Sequence, residues 1–525
     1  MHPRRPRAPR ASLVCLVLAT LLVLFFTAPL GAQSTDAAVD WTAKVDPWVL
    51  DTAGESLSTE FLIVLDAQAD LSGAQHLRGK QAKGRYVFAQ LRRVAEATQG
   101  PILRQLAQAD VEHRPYWVQN MIWARGDRAL VQTLARRSDV ARIAANPTVA
   151  FDGPVNRTPT GATPEGACPP TLEASLVHIG ADDFWAQGIT GAGVVIGGQD
   201  TGYDWDHPAL RDAYRGWVDG DVDHNYHWHD AIRSGGGVCG ADSPVPCDDN
   251  SHGTHTMGTM VGRTDTVAIG VAPDAKWIGC RNMDRGNGTP ATYGECFEWF
   301  LAPTDVAGNN PNPDLAPHVI NNSWGCPGFE GCTDPNVLRT AVENLRAAGV
   351  VVVVSAGNSG SSCSSVSTPA AIYDASFTVG AVSVPNDTIA GFSSRGPVTS
   401  DGSNRLKPDV SAPGVGICSS VPGTGYASFS GTSMAGPHVA GLVALLIQAA
   451  PCLEGDVDAI EAYLRDTAVT RTSTQTCGGV AGASIPNNTF GYGSVRAVMP
   501  PAGFCDTEVF RDGFESGDLS AWTTP

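Results

Sequence analysis

No C-x-x-C pair occurs among the 13 cysteines, so the paired ligand spacing of a thiolate zinc site is missing. Basic residues are scarce over most of the chain: from Gly161 onward 16 Lys and Arg face 39 Asp and Glu, within a formal net charge of -18 for all 525 residues. Such a surface repels nucleic acid and anionic membrane and favours solubility, without naming a substrate. After the N-terminal segment no apolar run reaches the roughly 20 residues that cross a bilayer. The stretch Val439 to Ala450 fits one buried helix instead.

What is present first is an address. Arg4, Arg5, Arg7 and Arg10 precede an apolar run from Ala11 to Phe26, which ends near the small residues Gly31 and Ala32 before Gln33. Residues 1–32 therefore read as a secretory signal peptide cleaved near Ala32, its apolar core too short to anchor. The product is expected to be secreted and free of the membrane once the signal is removed. Losing Cys15 with it leaves 12 of 13 cysteines, an even number that in an exported chain suggests disulfides. Cys239/Cys247 and Cys326/Cys332 are the easiest pairs, with Cys452/Cys477 next; the connectivity itself stays open.

A chain of 525 residues exceeds one ordinary core, so an accessory unit and one large domain are expected. Residues 33–155 read as mixed α/β. Glu60 to Leu65 and Trp117 to Ala124 are strand candidates, and a last strand falls near Val149. Gly84 to Ala97, Ile102 to Val111 and Arg128 to Ala135 carry helical spacing, giving a small sheet with helices on one face. Turn formers and small polar residues follow from Asp152, and 156–170 reads as a linker and processing region. From 171 to 499 the apolar runs Val194 to Gly197, Trp277 to Cys280, His318 to Asn321 and Val350 to Ser355 alternate with helical segments. Continuous Val/Ile runs of that kind predict buried parallel strands in a doubly wound α/β sheet, with chemistry at their carboxyl ends. A short acidic and aromatic tail occupies 500–525.

Three segments each offer one member of a hydrolytic triad. Asp200 ends the run at Val194 to Gly197, and Gly202 after it permits a sharp turn; a carboxylate there can orient an imidazole. His252 starts a helix of small residues and suits a general base. Ser433 begins a long apolar helix, where the dipole favours developing negative charge and Pro437 is tolerated in the first turn. Singly, Asp200 and Ser433 would read as caps. Asn358 follows the longest apolar strand and can donate to an oxyanion together with the Ser433 N–H. His255 is read as structural, since H-E-x-x-H is absent.

Asp200-Thr-Gly, His252-Gly-Thr-His, Asn322-Ser-Trp-Gly and Gly431-Thr-Ser-Met-Ala together resemble the subtilisin-like serine peptidase (subtilase) family. Their order Asp, His, Ser is the known subtilisin order. His224 to Asp230, Ile389 to Pro397 and Arg405 to Gly414 are similar to the bacillopeptidase F branch. The resemblance implies a secreted serine endopeptidase acting on polypeptides through an acyl-enzyme, with no cofactor in the chemistry. It implies that Ser323, Trp324, Gly325, Ser355, Ala356 and Gly357 line the primary specificity pocket, their backbones pairing with an extended substrate. It also implies that 33–155 is an inhibitory propeptide, a folding template and an intramolecular partner until it is cut off. The cysteine-bearing insertion Ser234 to Asp249 departs from that pattern.

Subtilases often carry structural calcium, and Asp219, Asp221 and Asp223 offer alternating carboxylates. The same acids also suit an ordinary solvated turn. His224, His227 and His229 fit a half-buried strand as well as they fit zinc. An α/β-hydrolase esterase would run Ser, Asp, His and place its serine in G-x-S-x-G, whereas Ser433 comes last, in Gly431-Thr-Ser-Met-Ala. A binding protein on the same fold would be expected to lack one of the four groups.

Overall fold

Alternating apolar residues build the first sheet. In the computed structural model, which describes residues 40–55, 58–151, 153–159 and 171–506, its antiparallel strands run in the order His113–Tyr116, Met121–Gly126, Thr59–Leu65, Val140–Ala145. Phe61, Ile63 and Leu65 face Ile102, Leu106, Val131 and Leu134 of the helices. Leu62, Trp123 and Ala144 point the opposite way, as a period of two requires, and join Tyr293, Trp324 and Val337 in a second core. One face of the sheet thus carries helices, while the other meets the larger domain together with Val87 and Leu91 of the Lys80–Thr98 helix, so the helices do not all lie on one face as expected.

The three helices form as Lys80–Thr98, Gly100–Gln108 and Arg128–Ala135, the last capped by Asp127, which accepts the Leu130 N–H at 2.9 Å. The strand read as Trp117 to Ala124 begins only at Met121. Trp117 to Asn120 turns the chain, with Asn120 at φ 44°, and joins it to His113–Tyr116, a strand whose Pro115 disguised it.

The larger sheet runs Trp228–Asp230, Lys276–Arg281, Val195–Asp200, Val319–Asn322, Val351–Ser355, Phe377–Ser383, Thr388–Ile389; Val410–Pro413 also pairs with Phe377–Ser383. Every pairing is parallel except that of Thr388–Ile389. Val195–Asp200 comes first in the chain yet lies inside the sheet. The next two strands add on one of its sides and the following five on the other. The order reverses there, so a crevice opens at its carboxyl end. Among the described residues one helix, Thr432–Ala449, is long and apolar enough to cross a membrane, and 89% of it is buried in the fold, which makes it a core helix.

Asn156–Pro159 is a strand, antiparallel to Gly425–Ser430, so the expected linker starts as sheet. Cys239–Cys247 and Cys326–Cys332 pair as anticipated. Cys452 and Cys477 do not pair with each other: the helix Val457–Asp466 carries the chain away between them, and they bond Cys505 and Cys363. Cys280–Cys296 ties the Lys276–Arg281 strand to the Pro290–Leu301 helix inside the core, where both cysteines are fully buried. The Cys452–Cys505 bond and the edge-on packing of Phe504 against Tyr463 hold the chain as far as Asp506. The signal peptide and the rest of the tail lie outside the described residues.

Candidate active site

Asp200 is the last residue of its strand and His252 the first of the helix His252–Val261. Gly253 lets that helix approach: a Cβ there would stand 2.0 Å from the Gly202 carbonyl oxygen. His252 Nδ1 lies 2.7 Å from Asp200 Oδ1, which also accepts the Thr201 N–H at 2.7 Å. With its N–H on Nδ1, the ring would direct the lone pair of Nε2 outward. Nε2 is buried and has no hydrogen-bond partner.

Asp248, which sequence reading passed over, holds the two loops together. Its Oδ1 accepts from Thr201 Oγ1 (2.8 Å), Asn250 N and Ser251 N (both 2.9 Å), and its Oδ2 from Thr254 N (3.0 Å) and Oγ1 (2.6 Å). An Asp four residues before a helix-starting histidine was the available signal.

Ser433 is the second residue of the Thr432–Ala449 helix, and its Oγ donates to the Ser323 carbonyl at 3.3 Å. Pro437 lies in the second turn, not the first. Lacking an N–H, it leaves the Ser433 carbonyl without the usual helical donor. Ser323 Oγ donates to that carbonyl at 3.2 Å, so the helix break and the seat of Ser433 are one device. Asn358 Oδ1 accepts from Thr432 N (2.9 Å) and Thr432 Oγ1 (3.0 Å), which fixes the orientation of its amide next to Ser433. Behind these groups a buried amide ladder crosses the strand ends. Asn282 Nδ2 donates to Gln199 Oε1 (2.8 Å), Gln199 Nε2 to Asn322 Oδ1 (2.7 Å), and Asn322 Nδ2 to Val353 O (2.9 Å). A carboxylate-held imidazole and a hydroxyl at a helix N-terminus are equipped for proton transfer and acyl transfer.

The subtilase family model matches residues 191–493, which include all of these groups. The chain belongs to the subtilase family. It is 41% identical over 336 residues to bacillopeptidase F of Bacillus subtilis, covering 62% of this chain and 22% of that protein. With subtilisin E of the same organism it shares 34% over 279 residues, 53% of this chain and 61% of that one. With subtilisin DY of Bacillus licheniformis it shares 35% over 287 residues, 54% and 87%. The chain thus spans about a fifth of the length of bacillopeptidase F.

All six residues expected at the primary pocket of this subtilase, Ser323 to Gly325 and Ser355 to Gly357, line one cavity of about 260 Å³ that also contains Ser433 and Asn358. Gly357, at φ 97°, keeps its wall small: a Cβ would stand 3.1 Å from Ser394 Oγ. A larger cavity, about 460 Å³, lies at the seam with the first unit, away from Ser433.

The site is covered in this subtilase: Asp200, His252 and Ser433 are 1%, 0% and 2% exposed. The cover is the chain around residue 151. Val149–Ala150 pairs antiparallel with Asn287–Gly288, Phe151 N donates to Gly286 O at 2.8 Å, and the Phe151 ring stands edge-on to His252 with centroids 4.6 Å apart. Val155 N donates to Ser430 O at 2.7 Å beyond it. Among the described residues no backbone bond joins 323–325 to 149–151. Val149–Ala150 pairs with Asn287–Gly288, and the Ala150 N–H is donated to Glu330 Oε2 at 3.1 Å.

The calcium candidates do not converge. Asp219 and Gly220, both at positive φ, form the tight turn between Trp217–Val218 and Asp221–Val222, and Asp223 Oδ1 accepts from Asn225 N and Nδ2. His224, His227 and His229 pair separately with Tyr214 Oη, the Asp223 carbonyl and Glu295. Among the described residues no three His, Cys, Asp or Glu form a metal-binding group. His255 Nε2 lies 3.1 Å from the carbonyls of Ile417 and Ala427, and its ring stacks on Phe429.

Proposed function

We propose that this chain is a secreted serine endopeptidase, made as a self-processing zymogen, in which Ser433 is the nucleophile, His252 the general base and Asp200 the group that orients and stabilises the imidazolium. Asn358 and the Ser433 N–H receive the oxyanion. The observation that carries this reading is the 2.7 Å contact of His252 Nδ1 with Asp200, which leaves Nε2, buried and without a hydrogen-bond partner, as the ring's free nitrogen. His252 takes the Ser433 proton as Oγ attacks a peptide carbonyl, then gives it to the leaving amine. Water, deprotonated by the same ring, releases the acyl group. No cofactor enters these steps. The test is covalent: a fluorophosphonate probe is expected to label the mature protein once, on Ser433, and mass spectrometry would locate it. Labelling elsewhere, or equal labelling of His252→Ala, contradicts the assignment.

Residues 33–155 act in this reading as propeptide and inhibitor, 171–499 as the catalytic domain. Supporting it are the Phe151 ring against His252 and the place of Ala150 and Phe151 in the cavity that contains Ser433. The grip of the first unit is pH-sensitive. Glu298 Oε2 accepts the N–H groups of Trp117 (2.5 Å) and Val118 (2.9 Å), and burial pushes its carboxyl up to about 8 against their pull. Once the first unit leaves, Glu298 returns toward its ordinary 4.5. Through Glu298 the complex therefore takes up a proton between those values, and affinity falls as pH rises through that window; above about 8 the trend reverses, because Lys80, which donates to the Ala316 carbonyl and is pushed down to about 8 by burial, gives up a proton on binding. His229, pushed down to about 3 by burial and by Arg233, opposes the fall only below its ordinary 6.5. Inhibition of the mature enzyme by added first unit is thus expected to weaken from about pH 6.5 to about pH 8, and Glu298→Gln to flatten the change.

A further inference from the structure

One buried cation anchors the insertion Ser234 to Asp249, the segment that departs from the family pattern. Arg281 ends the strand Lys276–Arg281, where it is the parallel partner of Asp200, and its side chain is fully buried. The guanidinium donates to the carbonyls of Gly236 and Gly240 (both 2.9 Å), to Asp249 Oδ2 (2.5 Å) and to Asp230 Oδ2 (3.2 Å). The Cys239–Cys247 bond closes the loop that presents the Gly240 carbonyl.

Just beyond Arg281 the chain forms a tight hairpin. Met283–Asp284 pairs with Asn287–Gly288 across Arg285 and Gly286, whose φ of 51° and 84° suit a two-residue turn. Asp249 Oδ1 accepts the Arg285 N–H at 2.9 Å, and Asp284 Oδ2 accepts the Gly236 N–H at 3.2 Å. The insertion therefore grips the turn at two points, through carboxylates that both lie beside the Arg281 guanidinium. The outer strand of the hairpin is the edge on which Val149–Ala150 lies, and Gly286 O accepts the Phe151 N–H at the cavity that contains Ser433. Asp248, next to Asp249, accepts from Asn250 N and Ser251 N just before His252, so the histidine loop and the edge are held by adjacent acids.

We propose that Arg281, acting through Asp249, is a positioning residue that fixes the 286–288 edge so that an extended substrate backbone can add to it as a strand. This role rests on the endopeptidase reading above and is independent of which bond is cut. A two-stranded hairpin is marginally stable by itself, so its outer strand needs outside support to wait in a binding-competent shape. Support in place before the peptide enters spares the freedom that would otherwise be lost on binding. An apolar residue at 281 would avoid the desolvation of a buried guanidinium, but it would not direct four bonds to the insertion and the strand beside it. The competing role is an anchor for the insertion alone, with no bearing on substrate.

The mature enzyme would be assayed on two substrates: a peptide anilide several residues long, which can lie along the edge, and a single-residue N-acetyl ester, which reaches only Ser433 and its pocket. Asp249→Asn is the variant of choice, because an amide accepts from either Arg281 or the Arg285 N–H but turns a donor toward the other. It is expected to lower kcat/KM on the peptide by about tenfold, mainly through KM, the worth of one backbone hydrogen bond. The ester is expected to be cleaved as by wild type. An equal loss on both substrates would overturn the role and give Asp249 a part in holding the His252 loop instead. No loss on either would overturn it in favour of the anchor. Should Asp249→Asn fail to be secreted, Asp284→Asn, whose carboxylate is 21% exposed, carries the same comparison with the same outcomes. If wild type cleaves neither substrate beyond a Ser433→Ala control, the endopeptidase reading itself falls, and the role of Arg281 with it.

Discussion

Ser433→Ala and His252→Ala are each expected to lower kcat of the mature enzyme on a peptide substrate by about 10⁶-fold, a magnitude known from subtilisin itself. The double variant is expected to be no slower than either single one. The reason is that neither group acts alone: the hydroxyl is a weak nucleophile without the base, and the base has no proton to take without the hydroxyl. Both variants are expected to keep their fold. Ser433 Oγ makes one 3.3 Å bond to the Ser323 carbonyl, and the Asp200 carboxylate released by loss of His252 retains the Thr201 N–H. Stopped assays with burst analysis and near-UV circular dichroism would check rate and fold together. Additive losses would mean that the two side chains do not share a step.

Asn358→Ala is expected to lower kcat by about 100- to 1,000-fold with KM little changed, again a range established on subtilisin. An oxyanion donor contributes mainly when the carbonyl becomes tetrahedral, so its loss belongs in kcat. Part of the loss would come from Thr432, whose N–H and Oγ1 both donate to Asn358 Oδ1 at the start of the helix that carries Ser433. Asn358→Asp keeps that acceptor and removes the amide donor. It is therefore expected to be at least as slow as Asn358→Ala, because a carboxylate would face the developing charge. Steady-state kinetics on one substrate decides; a loss confined to KM would mean that Asn358 binds substrate instead.

Much of this was legible in the residues because burial on both faces of a parallel strand forces continuous apolar runs. Val351–Ser355 matches its run to within a residue, and Val195–Asp200 starts within a residue of its run and continues three residues beyond it. The motif residues were legible too, since each sits at a strand end or helix start. What was missed depends on contacts between distant segments. Cys477 meets Cys363 across 114 residues, and nothing local distinguishes that partner from Cys452. Pro437 looked like a first-turn proline until Ser323 Oγ supplied the donor for the Ser433 carbonyl. Trp117 to Asn120 has strand-like residues but turns, because Glu298, far along the chain, accepts two of its N–H groups. Asp248 left only its place four residues before His252, and Glu330 nothing beyond a lone acid in a loop. Asn156–Pro159 reads as polar linker because its strand is held by backbone pairing with Gly425–Ser430, to which side-chain polarity is no guide.

The most direct test of the account is the secreted product itself, wild type beside Ser433→Ala, by intact mass, N-terminal sequencing and release of acid-soluble peptides from casein. The account predicts that wild type loses its first unit and digests casein, while Ser433→Ala stays joined to that unit and inert. Identical processing and identical casein digestion by the two forms would contradict it.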